Sequence, residues 1–155
     1  MRSGRRLAID VGKVRIGVAA SDFHGILASG LATVKRHESL EDSITEISKL
    51  IQEVEPIEIY VGLPVSMSGD HSASTKDAIA FARSLENLDV APIRFIDERL
   101  TTVTAASALR QSGRDSKSGR SIIDQIAATI ILEQALEIEK NSGNQPGKSI
   151  EEIDG

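Results

Sequence analysis

The sequence contains no cysteine, no tryptophan and only three histidines among its 155 residues. The lack of cysteine excludes disulfides, catalysis by a thiol, and zinc or iron–sulfur sites with cysteine ligands. Three histidines scattered along the chain argue against a metal centre built mainly from imidazoles. A metal ion bound to this protein is therefore expected to have oxygen ligands.

Aromatic residues are also scarce, at 3% of the chain. Most of them fit positions in a hydrophobic core, and the four are Phe23, Tyr60, Phe81 and Phe95. Proteins that bind single-stranded nucleic acid often stack bases on aromatic side chains, so this scarcity argues against base stacking. Recognition of the shape or the backbone of a nucleic acid remains compatible with the composition.

Long hydrophobic runs are absent as well, since no apolar stretch approaches the roughly 20 residues that span a bilayer. Residues 1–6 are basic, but the apolar run after them contains Asp10 and is interrupted at Gly12 and Lys13, unlike the core of a signal peptide. We therefore expect a cytoplasmic protein with no membrane partner. Its 155 residues, 40% hydrophobic and 26% charged, fit a single globular domain.

The net charge of −5 argues against a surface that coats nucleic acid, because such binding depends on Lys and Arg that neutralise phosphates. Two local clusters of cations remain as exceptions. One consists of Arg2, Arg5 and Arg6, and the other of Arg110, Arg114, Lys117 and Arg120. Each cluster is either ordinary solvated surface or a contact to nucleic acid.

The hydrophobic pattern predicts alternating strands and helices. Residues 7–11 and 15–20 predict a hairpin of two buried strands. Apolar residues at three- and four-residue steps from Leu40 to Val54 predict a helix with Ser39 as its N-cap and Pro56 beyond its end. The other predicted elements are strands at 26–34, 57–61 and 91–96, helices at 78–85, 101–109 and 120–140, and loops at 66–74 and 111–119. Residues 141–155 predict a disordered tail.

This order predicts an α/β domain over residues 1–140 with a mixed five-stranded sheet. The first three strands should be antiparallel, while the fourth and fifth, which are joined through helices, should run parallel to the first. Ligands of such sheets bind at the carboxyl ends of the strands. Asp10, near the end of the first strand, and Glu98, just after the fifth, should therefore share one edge.

Three acidic residues lie in segments that otherwise favour burial: Asp10, Glu98 and Asp124. Carboxylates brought together repel each other unless a cation lies among them, and oxygen ligands select magnesium or manganese. In two-metal phosphodiester hydrolysis, ions about 3.5 to 4 Å apart activate water and stabilise the leaving oxygen. The residues therefore suggest a catalytic site with two Mg²⁺ or Mn²⁺ ions.

Each acid also has a local explanation that needs no metal. Asp10 could accept a hydrogen bond from the backbone of the turn two residues on. Glu98 could pair with Arg94 or Arg99, and Asp124 with Arg120 one helical turn earlier.

Four motifs in order resemble the YqgF-type family of pre-16S rRNA nucleases, also described as Holliday-junction-resolvase-like proteins with a ribonuclease H-like fold. The motifs are Asp10-Val11-Gly12 with Arg15-Ile16-Gly17-Val18-Ala19 and Ser21-Asp22, Gly62-Leu63-Pro64 with Gly69, Asp97-Glu98-Arg99-Leu100-Thr101-Thr102, and Asp124 with Ala127-Ala128 and Ile131-Leu132. The resemblance implies a cytoplasmic, metal-dependent nuclease whose acids are Asp10, Glu98 and Asp124. It also implies precursor rRNA as substrate, with a ribosomal subunit precursor as partner. Ser66 and Ser68 depart from the family pattern, where Asn and an acid are usual.

Five further residues are predicted to bind substrate. Gly12 would allow a nucleic-acid backbone to approach Asp10, and Arg15 would either hold Asp10 in place or contact a phosphate. Arg99 would act in the same way beside Glu98. Lys117 and Arg120 are predicted to lie on a loop that closes over the nucleic acid.

Three other functions remain open at this point. The first is cleavage of structured DNA such as a four-way junction, for which two paired active sites are expected; the oligomeric state is open. The second is a non-catalytic binding or assembly module with the same fold. The third is ATP hydrolysis as in the actin and sugar-kinase group, which the length disfavours because those enzymes close two such domains around ATP.

Overall fold

A computed structural model describes residues 1–65, 68–100 and 117–154. The strands are β1 (Arg6–Val11), β2 (Arg15–Ser21), β3 (Ala28–Lys35), β4 (Glu58–Leu63), β5 (Ile93–Asp97) and β6 (Lys148–Ser149). The helices are α1 (Leu40–Val54), α2 (Ala73–Glu86), α3 (Lys117–Ser142) and α4 (Ile150–Asp154), with a 3₁₀ turn at Glu98–Leu100.

The strands form one sheet in the order β3-β2-β1-β4-β5-β6. β1 pairs antiparallel with β2, and β2 pairs antiparallel with β3. β4 runs parallel to β1, and β5 runs parallel to β4. The predicted arrangement of the first five strands is therefore confirmed. The sixth strand was not predicted, and it pairs antiparallel with β5.

The two faces of the sheet carry side chains of different size. Leu7, Ile9 and the branched residues in line with them pack against α1 and α2. On the other face, Ala8 and Ala19 pack against α3, which presents Ala127, Ala128, Ile131, Leu132 and Ala135. Because the residues of β1 and β2 on this second face are small, α3 lies close to these two strands.

Local chemistry sets the ends of α1 and α2. Ser39 is the N-cap residue of α1, as predicted, and Glu55 ends the helix in the left-handed region with φ of 51°. α2 begins at Ala73 rather than near Ala78, because Ser72 and Thr75 form a reciprocal capping box.

Helix α3 begins earlier than predicted. It starts at Lys117 instead of Arg120, so residues 117–119 belong to a helix and not to the predicted loop. The predicted helix at 101–109 and the first part of that loop lie outside the described residues, as do Ser66 and Met67. In the described ranges, no helix combines the length and the apolar character needed to cross a membrane.

The described part of the predicted disordered tail is structured. Lys148 pairs with Phe95 in the sheet, and Ile150 is buried in the core beneath α2, with Ile153 packed against it. Arg94 also donates hydrogen bonds to the carbonyl oxygens of Pro146 and Gly147, at 2.9 and 2.6 Å. The prediction was wrong because two isoleucines in a polar, Gly- and Pro-containing segment give no periodic signal of their own.

The N-terminal cluster of arginines is not a free basic surface. Arg6 is completely buried, and its Nη2 donates to Glu139 of α3 at 2.8 Å. Arg2 pairs with Glu58 at 2.8 Å and with Glu139 at 2.5 Å. These arginines therefore fasten the C-terminal half of α3 to β1 and β4.

Candidate active site

Gly17 brings Asp10 and Asp124 together. Asp10 lies near the end of β1 and is 5% exposed, and its partner across the hairpin is Gly17. A Cβ atom at position 17 would collide with the backbone carbonyl of Asp124. The backbone of α3 therefore lies directly on β2 beside Asp10, and this close approach requires a glycine.

Gly62 has a similar role between Asp10 and Glu98. It lies on β4, one residue beyond the pair formed by Ile9 and Val61. A Cβ atom at position 62 would lie 3.2 Å from Oε2 of Glu98 and would overlap the end of the Ile131 side chain. Because β4 separates β1 from β5, the missing side chain leaves the space between Asp10 and Glu98 open.

The three acids line a single cleft of about 380 Å³ at the carboxyl edge of the parallel strands. The other residues of its wall are Val11, Gly12, Lys13, Val14, Arg15, Pro64, Ser74 and Asp77. Strands, helices and turns that are distant in the sequence thus contribute to one concave surface, as is usual for a binding site in an α/β fold.

Arg15 pairs with Asp124 and not, as one prediction had it, with Asp10. Nε of Arg15 donates to Oδ2 of Asp124 at 2.7 Å. The carboxylate of Asp124 is completely buried, whereas the side chain of Arg15 is 22% exposed. The Gly12 amide, suggested as a donor to Asp10, donates to the Arg15 carbonyl at 3.0 Å and closes the hairpin.

The carboxylates fit a hard divalent ion by their chemistry and by their common location. All are oxygen donors, which Mg²⁺ and Mn²⁺ prefer. Within the described ranges, however, no three acidic or histidine side chains stand close enough together to hold a metal ion. Binding would therefore require the side chains to close in from these positions, and Asp124 already pairs with the Arg15 guanidinium.

Arg99, which was suggested as a partner of Glu98, binds Asp97. Its Nη2 donates to Oδ2 of Asp97 at 2.6 Å, and its backbone amide donates to Oδ1 at 2.9 Å. Partial burial alone would raise the pKa of Asp97, but these hydrogen bonds and the charge of Arg99 outweigh it and lower the pKa below its ordinary value. The other suggested partner of Glu98, Arg94, binds the C-terminal segment.

Lys117 and Arg120 are placed only by their backbone, in the first turns of α3. Asp124 follows Arg120 by one helical turn in the same helix. Their side chains lie outside the described part of the structure, and their predicted contact with nucleic acid stays a prediction.

Lys13, Ser74 and Asp77 line the cleft although they were not predicted to do so. They also line an adjoining groove of about 400 Å³ with Arg36, His37 and Ala73. Arg36 grips Asp77 through two hydrogen bonds of 2.6 and 2.7 Å and donates to the Gly12 carbonyl at 3.0 Å. Of these three residues, only Lys13 could have been predicted from the sequence, because it lies in the hairpin turn between Asp10 and Arg15.

Comparison with known proteins identifies the family. A family model described as "RuvX: Holliday junction resolvase" matches residues 4–138. Proteins named "Putative pre-16S rRNA nuclease" are 51% identical in Leifsonia xyli, covering 97% of each chain, and 48% identical in Streptomyces avermitilis, covering 99% of this chain and 98% of the relative. The relative in Clavibacter michiganensis is 48% identical and covers 95% of this chain and 91% of its own.

Solved structures of RuvC from Thermus thermophilus share the fold. The complex with a Holliday junction substrate has a TM-score of 0.55 at 14% identity, covering 92% of this chain and 99% of that chain. A second RuvC structure has a TM-score of 0.53 at 13% identity, covering 89% of this chain and 97% of its own. The predicted ribonuclease H-like fold is confirmed, and so is the resemblance drawn from the four motifs. The chain belongs to the RuvX family, a family of nucleases described as Holliday junction resolvases.

Proposed function

We propose that this protein is a metal-dependent nuclease that hydrolyses phosphodiester bonds at the 5′ end of precursor 16S rRNA in the cytoplasm. The observation that carries the proposal is the convergence of Asp10, Glu98 and Asp124 on one cleft. These acids come from a strand, a turn after a strand, and a helix, and they are far apart in the sequence. The names of the curated relatives support precursor rRNA as the substrate.

The three carboxylates would hold two Mg²⁺ or Mn²⁺ ions. When bound, such ions supply a Lewis acid at the phosphate and lower the pKa of a water molecule that attacks phosphorus. Asp10 on β1 pairs with Gly17 on β2, and the backbone of α3 at Asp124 packs on Gly17, which fixes one side of the site. Glu98 begins a short turn and can adjust more easily, because such turns are less constrained than strands.

Cations around the cleft would orient the substrate. Lys13 is exposed on the rim and offers a mobile ammonium group to a phosphate. Gly12 leaves room for the backbone of the nucleic acid beside Asp10. We assign Lys117, Arg120 and Arg99 to contacts farther along the nucleic-acid strand. Full activity of the double variant Lys117→Ala/Arg120→Ala would contradict the assignments of Lys117 and Arg120.

A direct test compares two substrates, labelled precursor 16S rRNA ends and a four-way DNA junction, with Mg²⁺, Mn²⁺ or EDTA. We expect metal-dependent cleavage of the RNA. The variants Asp10→Asn and Asp124→Asn should each lower the rate at least about 100-fold. Asp42→Asn is the matched control. Asp42 is exposed in the first turn of α1, which packs on the face of the sheet opposite to α3, so this variant should keep full activity.

Other outcomes select the alternative functions. Preferential cleavage of the junction would favour the DNA resolvase, which the description of the family model also supports. Normal rRNA processing with Asp10→Asn would favour a non-catalytic assembly module. Cleavage that survives EDTA would contradict the dependence on metal.

A further inference from the structure

The pair formed by Arg15 and Asp124 differs from the other ion pairs between sheet and helices. Asp124 has a completely buried carboxylate, whereas the side chain of Arg15 is 22% exposed and lines the open cleft. The two are joined through a single nitrogen of Arg15, Nε. Neither terminal nitrogen of the guanidinium takes part in this hydrogen bond. The cation of this pair therefore has room to leave, while the anion does not.

Two other arginines that form ion pairs, Arg6 and Arg36, are held by more hydrogen bonds than Arg15. Arg6 is completely buried and donates to Glu139, to the Arg2 carbonyl and to the Gly4 carbonyl. Arg36 grips Asp77 with both terminal nitrogens. Each of these arginines is fixed by at least three hydrogen bonds, if the contact of Arg36 with the Gly12 carbonyl is included.

The backbone of Arg15 is fixed, so an exchange would involve its side chain alone. Arg15 pairs with Lys35 in the sheet, and its carbonyl accepts a hydrogen bond from the Gly12 amide. A rotation of the side chain about its staggered torsions would carry the guanidinium from Asp124 into the cleft without any change in the fold.

A buried carboxylate needs a cation, and Asp124 cannot easily serve two at once. Without any partner, its charge would be very costly to bury. A divalent ion on the same carboxylate would stand within a few ångströms of the guanidinium, where the two positive charges repel each other beside a buried carboxylate. Arg15 and the metal should therefore compete for Asp124.

We propose that Arg15 is an exchangeable counter-ion of Asp124. It neutralises the carboxylate when the cleft holds no divalent ion, and it moves into the cleft when an ion binds. Its forked guanidinium is then available to phosphate oxygens of the substrate. This inference rests on the proposed metal-dependent function, and it adds that metal binding and substrate binding are coupled through one side chain.

The test measures Mn²⁺ binding by calorimetry in the absence of nucleic acid. Arg15→Gln removes the charge and keeps a hydrogen-bond donor, so we expect it to bind Mn²⁺ at least about tenfold more tightly than the unaltered protein. Arg15→Lys keeps the charge and should bind Mn²⁺ within about threefold of the unaltered protein. Arg94→Gln, which removes a cation that binds the C-terminal segment and does not line the cleft, should leave Mn²⁺ affinity unchanged.

A second measurement follows thermal unfolding and guards against a variant that folds poorly. Without metal, Arg15→Gln should melt at a lower temperature than the unaltered protein, and saturating Mn²⁺ should raise its melting temperature by more. Equal or weaker Mn²⁺ binding by Arg15→Gln would overturn the exchange but not the nuclease. Absence of Mn²⁺ binding in every form of the protein would overturn the proposed metal-dependent function, and the exchange with it.

Discussion

At the scale of single residues, two glycines determine how closely the acidic side chains can gather. At Gly17 the obstacle to a side chain is the backbone of α3, at the carbonyl of Asp124. At Gly62 the obstacles are the ends of two side chains, those of Ile131 and Glu98. A backbone inside a helix cannot yield locally, whereas a side-chain end can rotate, so the two positions should tolerate a methyl group to different degrees.

Gly17→Ala should lower the free energy of unfolding by about 1–3 kcal/mol, the usual cost of overpacking a well-filled interior. It should also reduce cleavage, because α3 must shift away from β2 and carry Asp124 with it. Gly62→Ala is the matched comparison and should be the less destabilised of the two. Urea denaturation of both variants gives the order, and a larger loss in Gly62→Ala would contradict the close contact between α3 and β2.

The sequence reveals a site residue only when its polarity conflicts with its surroundings. Asp10, Glu98 and Asp124 could be selected because each is an acid beside apolar residues, and the structure brings them to one cleft. Ser74 and Asp77 lie in a polar segment where their presence costs nothing, so no such conflict marked them. The choice of Arg15 for Asp124 over Asp10 depends on the angle of α3 across β2, which no local pattern encodes.

At the scale of elements, ion pairs hold α3 to the sheet near both of its ends. Arg15 binds Asp124 in its first half, and Arg2 and Arg6 bind Glu139 near its end. The two acids are 15 residues apart in the sequence, which corresponds to roughly 22 Å along a helix. Glu58, which also binds Arg2 and accepts from the Tyr60 hydroxyl at 2.8 Å, completes the second cluster.

Glu139 should make stability depend on pH in the acidic range. Burial alone would raise its pKa, but hydrogen bonds from Arg2 and the charges of Arg6 and Arg2 hold the pKa below its ordinary value of 4.5. A carboxyl whose pKa is lowered by folding stabilises the protein above its unfolded pKa, and the contribution is lost as the pH falls through the folded pKa. The stabilisation should therefore be complete at pH 7, begin to fall below about pH 4.5 and be lost as the pH drops further through the folded pKa.

Glu139→Gln tests this dependence. At pH 7 the variant should be less stable by about 3 kcal/mol, because two arginines lose their buried partner. The difference from the unaltered protein should shrink when urea denaturation is repeated at pH 3.5. Glu133→Gln, on an exposed position of the same helix, should show neither effect. A difference that stays constant with pH would mean that Glu139 acts through packing and not through charge.

The C-terminal elements should contribute to the stability of the whole fold. Ile150 is 6% exposed and packs in the main core, whereas Ile153 is only partly buried. Ile150→Ala should therefore cost about 2–5 kcal/mol in the free energy of unfolding, and Ile153→Ala clearly less. Chemical denaturation of the two variants measures both values. A cost near zero for Ile150→Ala would show that residues 148–154 do not pack on the sheet in solution.

Long elements could be predicted from the sequence, and short ones could not. The first five strands and helices α1, α2 and α3 each bury one or both faces over several residues, which leaves a periodic pattern. β6 and α4 have two and five residues, and they exist because β5 offers an unpaired edge and the core offers space for Ile150. Such elements depend on tertiary contacts and are invisible to a local pattern.

At the scale of the whole molecule, the protein is acidic, and several of its arginines pair with its own carboxylates. Its net charge is −5, and Arg2, Arg6 and Arg36 are engaged by its own carboxylates. Lys13 and Arg15 line the cleft, and Lys117 and Arg120 precede Asp124 in α3. Binding should therefore rely on a few local contacts, and the broad electrostatic attraction typical of basic nucleic-acid-binding proteins should be absent.

The salt dependence of binding measures this number of contacts. For single-stranded RNA, each neutralised phosphate contributes about −0.7 to the slope of the logarithm of the association constant against the logarithm of the salt concentration. Four contacts predict a slope of about −3, measured by fluorescence anisotropy with an Asp10→Asn protein that binds without cleaving.

Lys117→Ala/Arg120→Ala should make the slope less negative by about 1.4 if both side chains contact phosphates. Lys49→Ala/Lys140→Ala, at positions that do not line the cleft, should leave it unchanged. A slope that neither pair alters would place the phosphate contacts elsewhere on the surface and would contradict binding along the cleft.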